Sequence, residues 1–249
     1  DPEMSRGLGD VYKRQVLANL EPKMSVATLP WSFTSYQQAR QVIDTTGGAY
    51  YAKLLEAKGI TYLGSFHNGF RQLTNSKHPV TKPEDLKDLK IRVPGSAVYM
   101  GVFNALGASP TAMSWSEVFT AIQQKTIDGQ ENGCSVTKSA KMDEIQQYMT
   151  IWNYSYENDL FVANSRVWES LDENTRQLLQ ECATESCEWG RDHLEAEEDQ
   201  LIQGFMDSGM QVDILTEDQL QAFKDAVAGV TAELKTEYGE DACAAFGIN

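Results

Sequence analysis

Apolar positions switch between strand-like and helix-like spacing along the chain, and that alternation predicts an α/β fold. Met24 to Leu29 reads as a short strand ending at Pro30. Ile60 to Leu63 reads as another, and Lys90 to Val93 as one broken by Pro94-Gly95. Tyr148 to Trp152, Leu160 to Ala163 and Met210 to Leu215 read as three more. Helical segments lie between them. Thr34 to Lys58 is helical in parts, interrupted by Gly47-Gly48 and stopped by Gly59. Pro83 to Leu86 starts a short helix, and Ser96 caps one that runs through Leu106. Ser114 or Ser116 caps the next, with Val118, Ala121 and Ile122 on one face, and Thr137 to Gln147 is helical.

The segment from Asp172 to about Met206 has no proline and only two glycines, and Leu178, Cys182, Trp189, Leu201-Ile202 and Phe205 recur at roughly helical spacing. A helix of about 35 residues is about 50 Å long, beyond the ~30 Å diameter of a small domain. The pattern therefore predicts a helix that crosses two lobes. Thr216 then caps a final helix carrying Leu220, Phe223, Val227, Val230 and Leu234 at spacings of three and four, and Ala242 to Asn249 reads as a weak tail. Two lobes bridged by one helix form a hinge, and ligands of such folds sit in the cleft at the carboxyl ends of strands.

Composition narrows the function classes. With 249 residues, 41% of them hydrophobic, the chain can build a real core. Its formal net charge of −15 repels phosphate backbones and anionic lipid, which argues against nucleic acid and membrane surfaces as partners. An anionic ligand must then be drawn in by a few local cations. The four cysteines, at 134, 182, 187 and 243, form no CxxC pair and no zinc spacing, and read as buried free thiols. No apolar run reaches membrane-spanning length. Residues 1–15 form a mixed polar stretch that does not read as the start of a folded domain. No GxSxG elbow or Walker loop occurs. Gly7-Leu8-Gly9 begins a dinucleotide fingerprint, but Tyr12 stands where the third glycine belongs. His67, His78 and His193 share no ligand spacing, and His193 with Glu197 reads as a solvated helix face. No cofactor or metal is expected, and the shortage of catalytic signals favours binding over catalysis.

The specific signal lies between Gly69 and Asn132. It runs Gly69-Phe70-Arg71-Gln72-Leu73-Thr74, then Pro83-Glu84-Asp85-Leu86-Lys87-Asp88-Leu89-Lys90-Ile91-Arg92-Val93-Pro94. Ala105-Leu106-Gly107-Ala108-Ser109-Pro110-Thr111 follows, then Ser116-Glu117-Val118-Phe119-Thr120-Ala121-Ile122-Gln123, and it closes with Ile127-Asp128-Gly129-Gln130-Glu131-Asn132. Five blocks in this order resemble the solute-binding proteins of TRAP (tripartite ATP-independent periplasmic) transporters, with looser similarity from about Val16 to Val230. The resemblance implies a two-lobed fold like that of type II periplasmic binding proteins, with a long helix crossing both lobes. It also implies that a first segment is missing, leaving lobe I incomplete. Lobe I would comprise residues 16–70 and 157–197, and lobe II residues 71–156 and 198–249.

Within the resemblance, Arg92 corresponds to the family's signature arginine, which pairs with the solute carboxylate. The residues give an independent reason. Ile91 and Val93 flank it, so its side chain leaves the strand on the opposite face, and a guanidinium fork takes a carboxylate through two parallel hydrogen bonds. Arg71 corresponds to a second cation that reaches the solute, against the alternative of a structural ion pair. Trp115 corresponds to an aromatic that packs on the solute, against that of a core tryptophan. Asn132 can donate and accept hydrogen bonds, although Gly133 follows it where the family has proline. Glu117 and Asp128 read as residues that fix helix ends and loops. Glu157, Asn158 and Asp159 fall near the expected hinge. Either one of them, Glu157 in the ligand assignment, reaches the far end of the solute, or all are turn residues. The polar hinge residues Tyr154, Tyr156, Glu157 and Asn158 hint at a hydroxylated sugar acid.

The reading that follows is a periplasmic or otherwise extracytoplasmic, monomeric binding protein. It captures a small carboxylate (a sugar acid, sialic acid or dicarboxylate) and hands it to the membrane subunits of a TRAP transporter. The alternatives are an enzyme of the same fold that holds a carboxylate substrate, a ligand-sensing domain, and a fragment without activity.

Overall fold

The structure, a computed structural model, describes residues 10–13, 17–18 and 20–248. Its strands are β1 (Asp10–Lys13), β2 (Ile60–Asn75), β3 (Lys90–Val93), β4 (Ser109–Ala112), β5 (Gly129–Gly133), β6 (Tyr148–Ile151), β7 (Tyr156–Asn164) and β8 (Gln211–Ile214). Its α-helices are α1 (Tyr36–Val42), α2 (Gly48–Glu56), α3 (Ala97–Ala105), α4 (Trp115–Gln123), α5 (Cys134–Ser139), α6 (Ser165–Ser170), α7 (Glu173–Asp207), α8 (Glu217–Tyr238) and α9 (Glu240–Ala245).

Strand β2 organises everything else. From Ile60 to Phe70 it pairs antiparallel with β7, whose other edge carries β1. From Arg71 to Asn75 it pairs with β5 on one side, and from Leu73 to Asn75 with β6 on the other. Beyond β5 lie β3 and β4, both in parallel pairing, and β8 adds in parallel to β6. One strand thus serves two sheets. Its ladder slips between Tyr62 and Gly64 and again between His67 and Gly69, and such bulges bend a strand and raise its twist. Gly69 takes φ +105°, and a side chain there would also meet the Tyr36 hydroxyl at 3.1 Å, so the bend requires glycine.

Helix α7 ties the two sheets together. Its 35 residues start at Asp172, whose carboxylate accepts from the Thr175 amide. Ala183 packs with Leu63 and Ala163 against the first sheet. Phe205 packs with Cys134, Met149, Ile151 and Met210 against the second. Helix α8 opens with a reciprocal capping box between Thr216 and Gln219 and buries Phe223, Val227, Leu234 and Tyr238. Phe223 meets Trp152 edge-on, with ring centroids 5.2 Å apart.

Several local expectations need correction. Met24 to Leu29 is not a strand. Pro22–Thr28 form a 3-10 helix started by proline and capped by the Glu21 carboxylate. All five residues Met24 to Thr28 are buried, and a short fully buried run has no periodicity to separate helix from strand. The strand expected over Ile60 to Leu63 continues to Asn75. Helix α5 starts at Cys134 and ends at Ser139, and only Met142–Glu144 coil again before β6, as a 3-10 turn. The tail is ordered: α9 buries Ala242 and Cys243, and Phe246 behind it is 1% exposed among Tyr50, Tyr51 and the main core. Ser96 and Ser114 sit at the N-cap positions of α3 and α4 without a capping side-chain bond. Part of the N-terminal stretch, Asp10–Lys13, pairs with β7, whereas Gly7-Leu8-Gly9 lies outside the described residues.

Gly129 opens β5 directly against β2. A Cβ there would lie 2.2 Å from the Thr74 carbonyl oxygen and 3.0 Å from Asn75 Cα, and backbone cannot step aside. Gly129→Ala is expected to destabilise the fold by about 1–3 kcal/mol. Urea unfolding measures this, and a variant as stable as the parent would contradict the packing described.

Candidate functional site

The chemistry gathers where β3, β5 and β2 lie side by side. Ile91 and Val93 are fully buried in the main core together with Val98, Tyr99 and Phe103 of α3. Arg92, between them, leaves β3 on the other face. It is 5% exposed, and its Nε and Nη2 donate to the Met113 carbonyl at 2.9 and 2.6 Å. Its guanidinium stands 5.4 Å from the ring centroid of half-buried Trp115, the first residue of α4. Among the described residues three arginines are buried: 71, 92 and 191. Arg191 pairs with Asp44, and Arg71 pairs with Glu131 and Glu157. Arg92 has no carboxylate partner among them. Burial pulls its pKa down to about 10; Glu131 and Glu157 push it back up, and Arg71 lowers it further.

Arg71 is engaged on all sides. Its Nε and Nη2 donate to the Glu131 carboxylate at 2.5 and 2.7 Å, and Nη2 also reaches the Glu131 carbonyl at 2.7 Å. Its Nη1 donates to Glu157, and the guanidinium lies 4.9 Å from the Tyr99 ring centroid. The Tyr154 hydroxyl donates to Glu131 as well. Burial alone would lower the Arg71 pKa, but the two glutamates outweigh it and hold the guanidinium well above its ordinary value. Glu157 uses one oxygen on Arg71; its Oε1 is buried without a hydrogen-bond partner.

The other expected residues are placed as follows. Asn132 is 2% exposed on β5 opposite Gln72, and its Oδ1 accepts from the Gly133 amide at 3.0 Å. A Cβ at Gly133 would come within 2.5 Å of the Asn68 carbonyl oxygen, so β2 and β5 touch through backbone there. Asp128 accepts from the Lys90 amide at 2.9 Å and anchors the start of β3, while Glu117 is exposed in the first turn of α4. Glu157, Asn158 and Asp159 are not turn residues: they lie within β7 and pair with Gly69, His67 and Phe66. The polar groups that hinted at a sugar acid face inward. Asn158 donates to Ser65 at 2.7 Å, Tyr156 pairs with His67 at 2.7 Å, and Tyr154 serves Glu131. Sequence reasoning missed Glu131 as a site residue. The available signal was an acidic residue inside the Gly129–Gly133 strand, all of which is buried.

A second polar cluster sits at the bend of β2. Glu198 of α7 faces the Tyr36 hydroxyl, which in turn accepts from the Phe70 amide at 3.3 Å. Burial pushes the Glu198 carboxyl up to about 7, the Tyr36 hydroxyl opposes this, and Asp199 and Glu195 add to the rise. A carboxyl raised on folding contributes stability that is present below the ordinary carboxylate range and lost as pH rises through about 7. Buried His67, beside Glu195 at 2.9 Å, has the opposite sign. Burial lowers it to about 4, so its contribution is lost only as pH falls below its ordinary value. Glu198→Gln is therefore expected to remove a loss of stability that in the parent runs from roughly pH 4.5 to 7, the interval between the ordinary and the raised carboxyl value; His67 titrates in both proteins, so the difference between them reports Glu198. Denaturant titrations at both ends test this; equal slopes in parent and variant would remove Glu198 as the cause.

Among the described residues no group of three or more His, Cys, Asp or Glu is placed to hold a metal, and no helix is long and apolar enough to cross a membrane. All four cysteines are free. Three are buried, but Cys182 is exposed, contrary to the expectation that all are buried. His193 and Glu197 form an exposed pair 3.3 Å apart.

Known proteins resemble this chain over most of its length. The family model of bacterial extracellular solute-binding protein, family 7 (DctP), matches residues 11–237. The 2,3-diketo-L-gulonate-binding periplasmic protein YiaO of Escherichia coli (strain K12) is 32% identical over 217 residues, 87% of this chain and 66% of YiaO. The chain spans about two thirds of the length of the curated relatives it matches. A TRAP periplasmic solute-binding protein from Ralstonia eutropha H16, solved with bound (S)-2-acetolactate, superposes with a TM-score of 0.93 at 30% identity, covering 96% of this chain and 78% of that one. The sugar acid binding protein DctPAm from Advenella mimigardefordensis, in complex with galactonate, gives a TM-score of 0.92 at 28% identity over 97% of this chain and 78% of that one. The chain therefore belongs to the DctP family of bacterial extracellular solute-binding proteins, and its α/β architecture is the two-lobed fold of the TRAP periplasmic binding proteins it matches.

Proposed function

We propose that this protein captures a small carboxylate-containing solute outside the cytoplasm and delivers it, as a monomer, to the membrane subunits of a TRAP transporter. The observation that carries the reading is the buried Arg92 guanidinium, which has no carboxylate partner among the described residues while the other two buried arginines do. An unpaired buried cation costs free energy that an incoming anion relieves. The relatives support the same chemistry: YiaO is named for a keto sugar acid, and the Ralstonia and Advenella proteins hold acetolactate and galactonate.

In this reading residues 16–70 and 157–197 form one lobe, and residues 71–156 and 198–249 the other. The change of partner along β2, from β7 to β5 and β6, supports that division. The open protein takes the carboxylate on Arg92, with Trp115 behind the guanidinium and Asn132 supplying polar contacts. Arg71 and Glu157 stand beside the anchor. The lobes then close by bending at β2 and α7, which excludes water and strengthens the ion pair. No bond is made or broken, so the protein is not an enzyme.

The test is a calorimetric titration with a cognate acid and with its primary amide, which keeps the shape and removes the charge. The acid is expected to bind and to raise the melting temperature, and the amide to do neither. Equal binding of acid and amide would reject the carboxylate reading.

A further inference from the structure

The charge balance around the two arginines narrows the solute. Arg92 interacts electrostatically with Arg71, Glu131 and Glu157, so these groups act as one set of two cations and two anions. Arg71 is wrapped by both glutamates, and Arg92 has no carboxylate partner among the described residues. One carboxylate satisfies Arg92. A second would find no free buried cation among the described residues, and Lys90, the other cation of β3, is exposed at the strand's start. To serve a second carboxylate, Arg71 would have to leave a glutamate. That would set like charges together away from water, where their repulsion is least screened. The set also holds an unmet acceptor: Glu157 Oε1 is buried with no donor, and such an atom is relieved by a hydroxyl and repelled by another carboxylate.

We propose that Glu157, by occupying the one guanidinium nitrogen of Arg71 that Glu131 leaves, denies a second carboxylate its cation and limits the solute to one negative charge. The site takes a monocarboxylate that carries hydroxyl donors along its chain, and it rejects dicarboxylates. This rests on the reading of Arg92 as the carboxylate anchor. Glu157 is then the specificity-determining residue. Removing its charge leaves Arg71 paired with Glu131 alone and adds a net positive charge to the set, which makes room for a second carboxylate.

The test uses pairs of acids of equal length that differ in one end group: erythronate against tartrate, and galactonate against galactarate. Binding is measured calorimetrically on the parent, Glu157→Gln and Arg92→Ala, with circular dichroism to establish folding. In the parent the monocarboxylate of a pair is expected to bind at least about tenfold more tightly than its dicarboxylate partner. Glu157→Gln is expected to shrink or reverse that ratio. A parent that binds tartrate or galactarate as tightly as the matched monocarboxylate overturns the proposal. So does a folded Glu157→Gln with an unchanged ratio. If Glu157→Gln does not fold, the ratio in the parent decides. Failure of the underlying reading looks different: none of the acids binds, or Arg92→Ala binds them as the parent does, and the proposal falls with it.

Discussion

Replacing Arg92 by methionine is expected to weaken binding of the cognate acid by roughly 100-fold or more while leaving the unliganded fold intact. A guanidinium fork offers two charge-assisted hydrogen bonds to a carboxylate, each contributing about 1.5–3 kcal/mol, and every ~1.4 kcal/mol is a factor of ten in affinity. Stability should not fall in step. Arg92 is buried with no carboxylate partner among the described residues, so its charge is a cost to the free protein, offset in part by the Met113 carbonyl, the Trp115 ring and the field of Glu131 and Glu157. Methionine fills a similar volume without that cost. Arg92→Lys should bind weakly as well, since a single ammonium cannot reproduce the fork. Calorimetric affinity and urea unfolding on the same preparations separate the two effects. Loss of binding accompanied by a large loss of stability would place Arg92 in the core rather than in a site.

Arg71→Met is expected to do the reverse and destabilise the fold by about 3–5 kcal/mol, the usual consequence of removing one partner from a buried ion-pair network. Glu131 and Glu157 are 0% and 1% exposed, so without Arg71 two carboxylates face each other in the interior. They can be accommodated only by taking up protons or by unfolding locally. Combining Arg71→Met with Glu131→Gln and Glu157→Gln removes every charge at once and should recover much of the lost stability. Chemical denaturation of the single and triple variants decides. If Arg71→Met alone is as stable as the parent, the network is not what holds β2, β5 and β7 together.

The two expected results diverge although both arginines sit in motif blocks and both are buried. Sequence alone left Arg71 open between solute contact and ion pair. Its partners come from 60 and 86 residues away, and nothing near Phe70-Arg71-Gln72 records them. Glu131 was readable only as part of a block, because its role depends on pairing opposite Leu73 in the β2–β5 ladder, from where its carboxylate reaches diagonally to Arg71. The bend of β2 shows the same limit. Its later residues include His67, Asn68, Arg71, Gln72, Thr74 and Asn75, all buried, and a polar run does not read as a strand interior. Several are tolerated because tertiary neighbours supply partners: Gln72 accepts from the Trp152 and Asn153 amides, and Thr74 donates to Gln146, whereas Asn68 Oδ1 and Asn75 Nδ2 stay buried without one.

What the sequence by itself determined is what local pattern encodes. The 35-residue span of α7, the strand Lys90–Val93, the cap at Thr216 and the apolar face of α4 all follow from periodicity and caps within a few residues. The motif blocks pointed to the family and to Arg92. Only the tertiary structure decided that β2 joins two sheets, that the apolar run after Pro22 coils instead of extending, and which buried guanidinium is left without an anion. The physical reason is that helix periods and caps are satisfied within one turn of chain, whereas burial and charge pairing depend on groups that approach only when distant segments fold together.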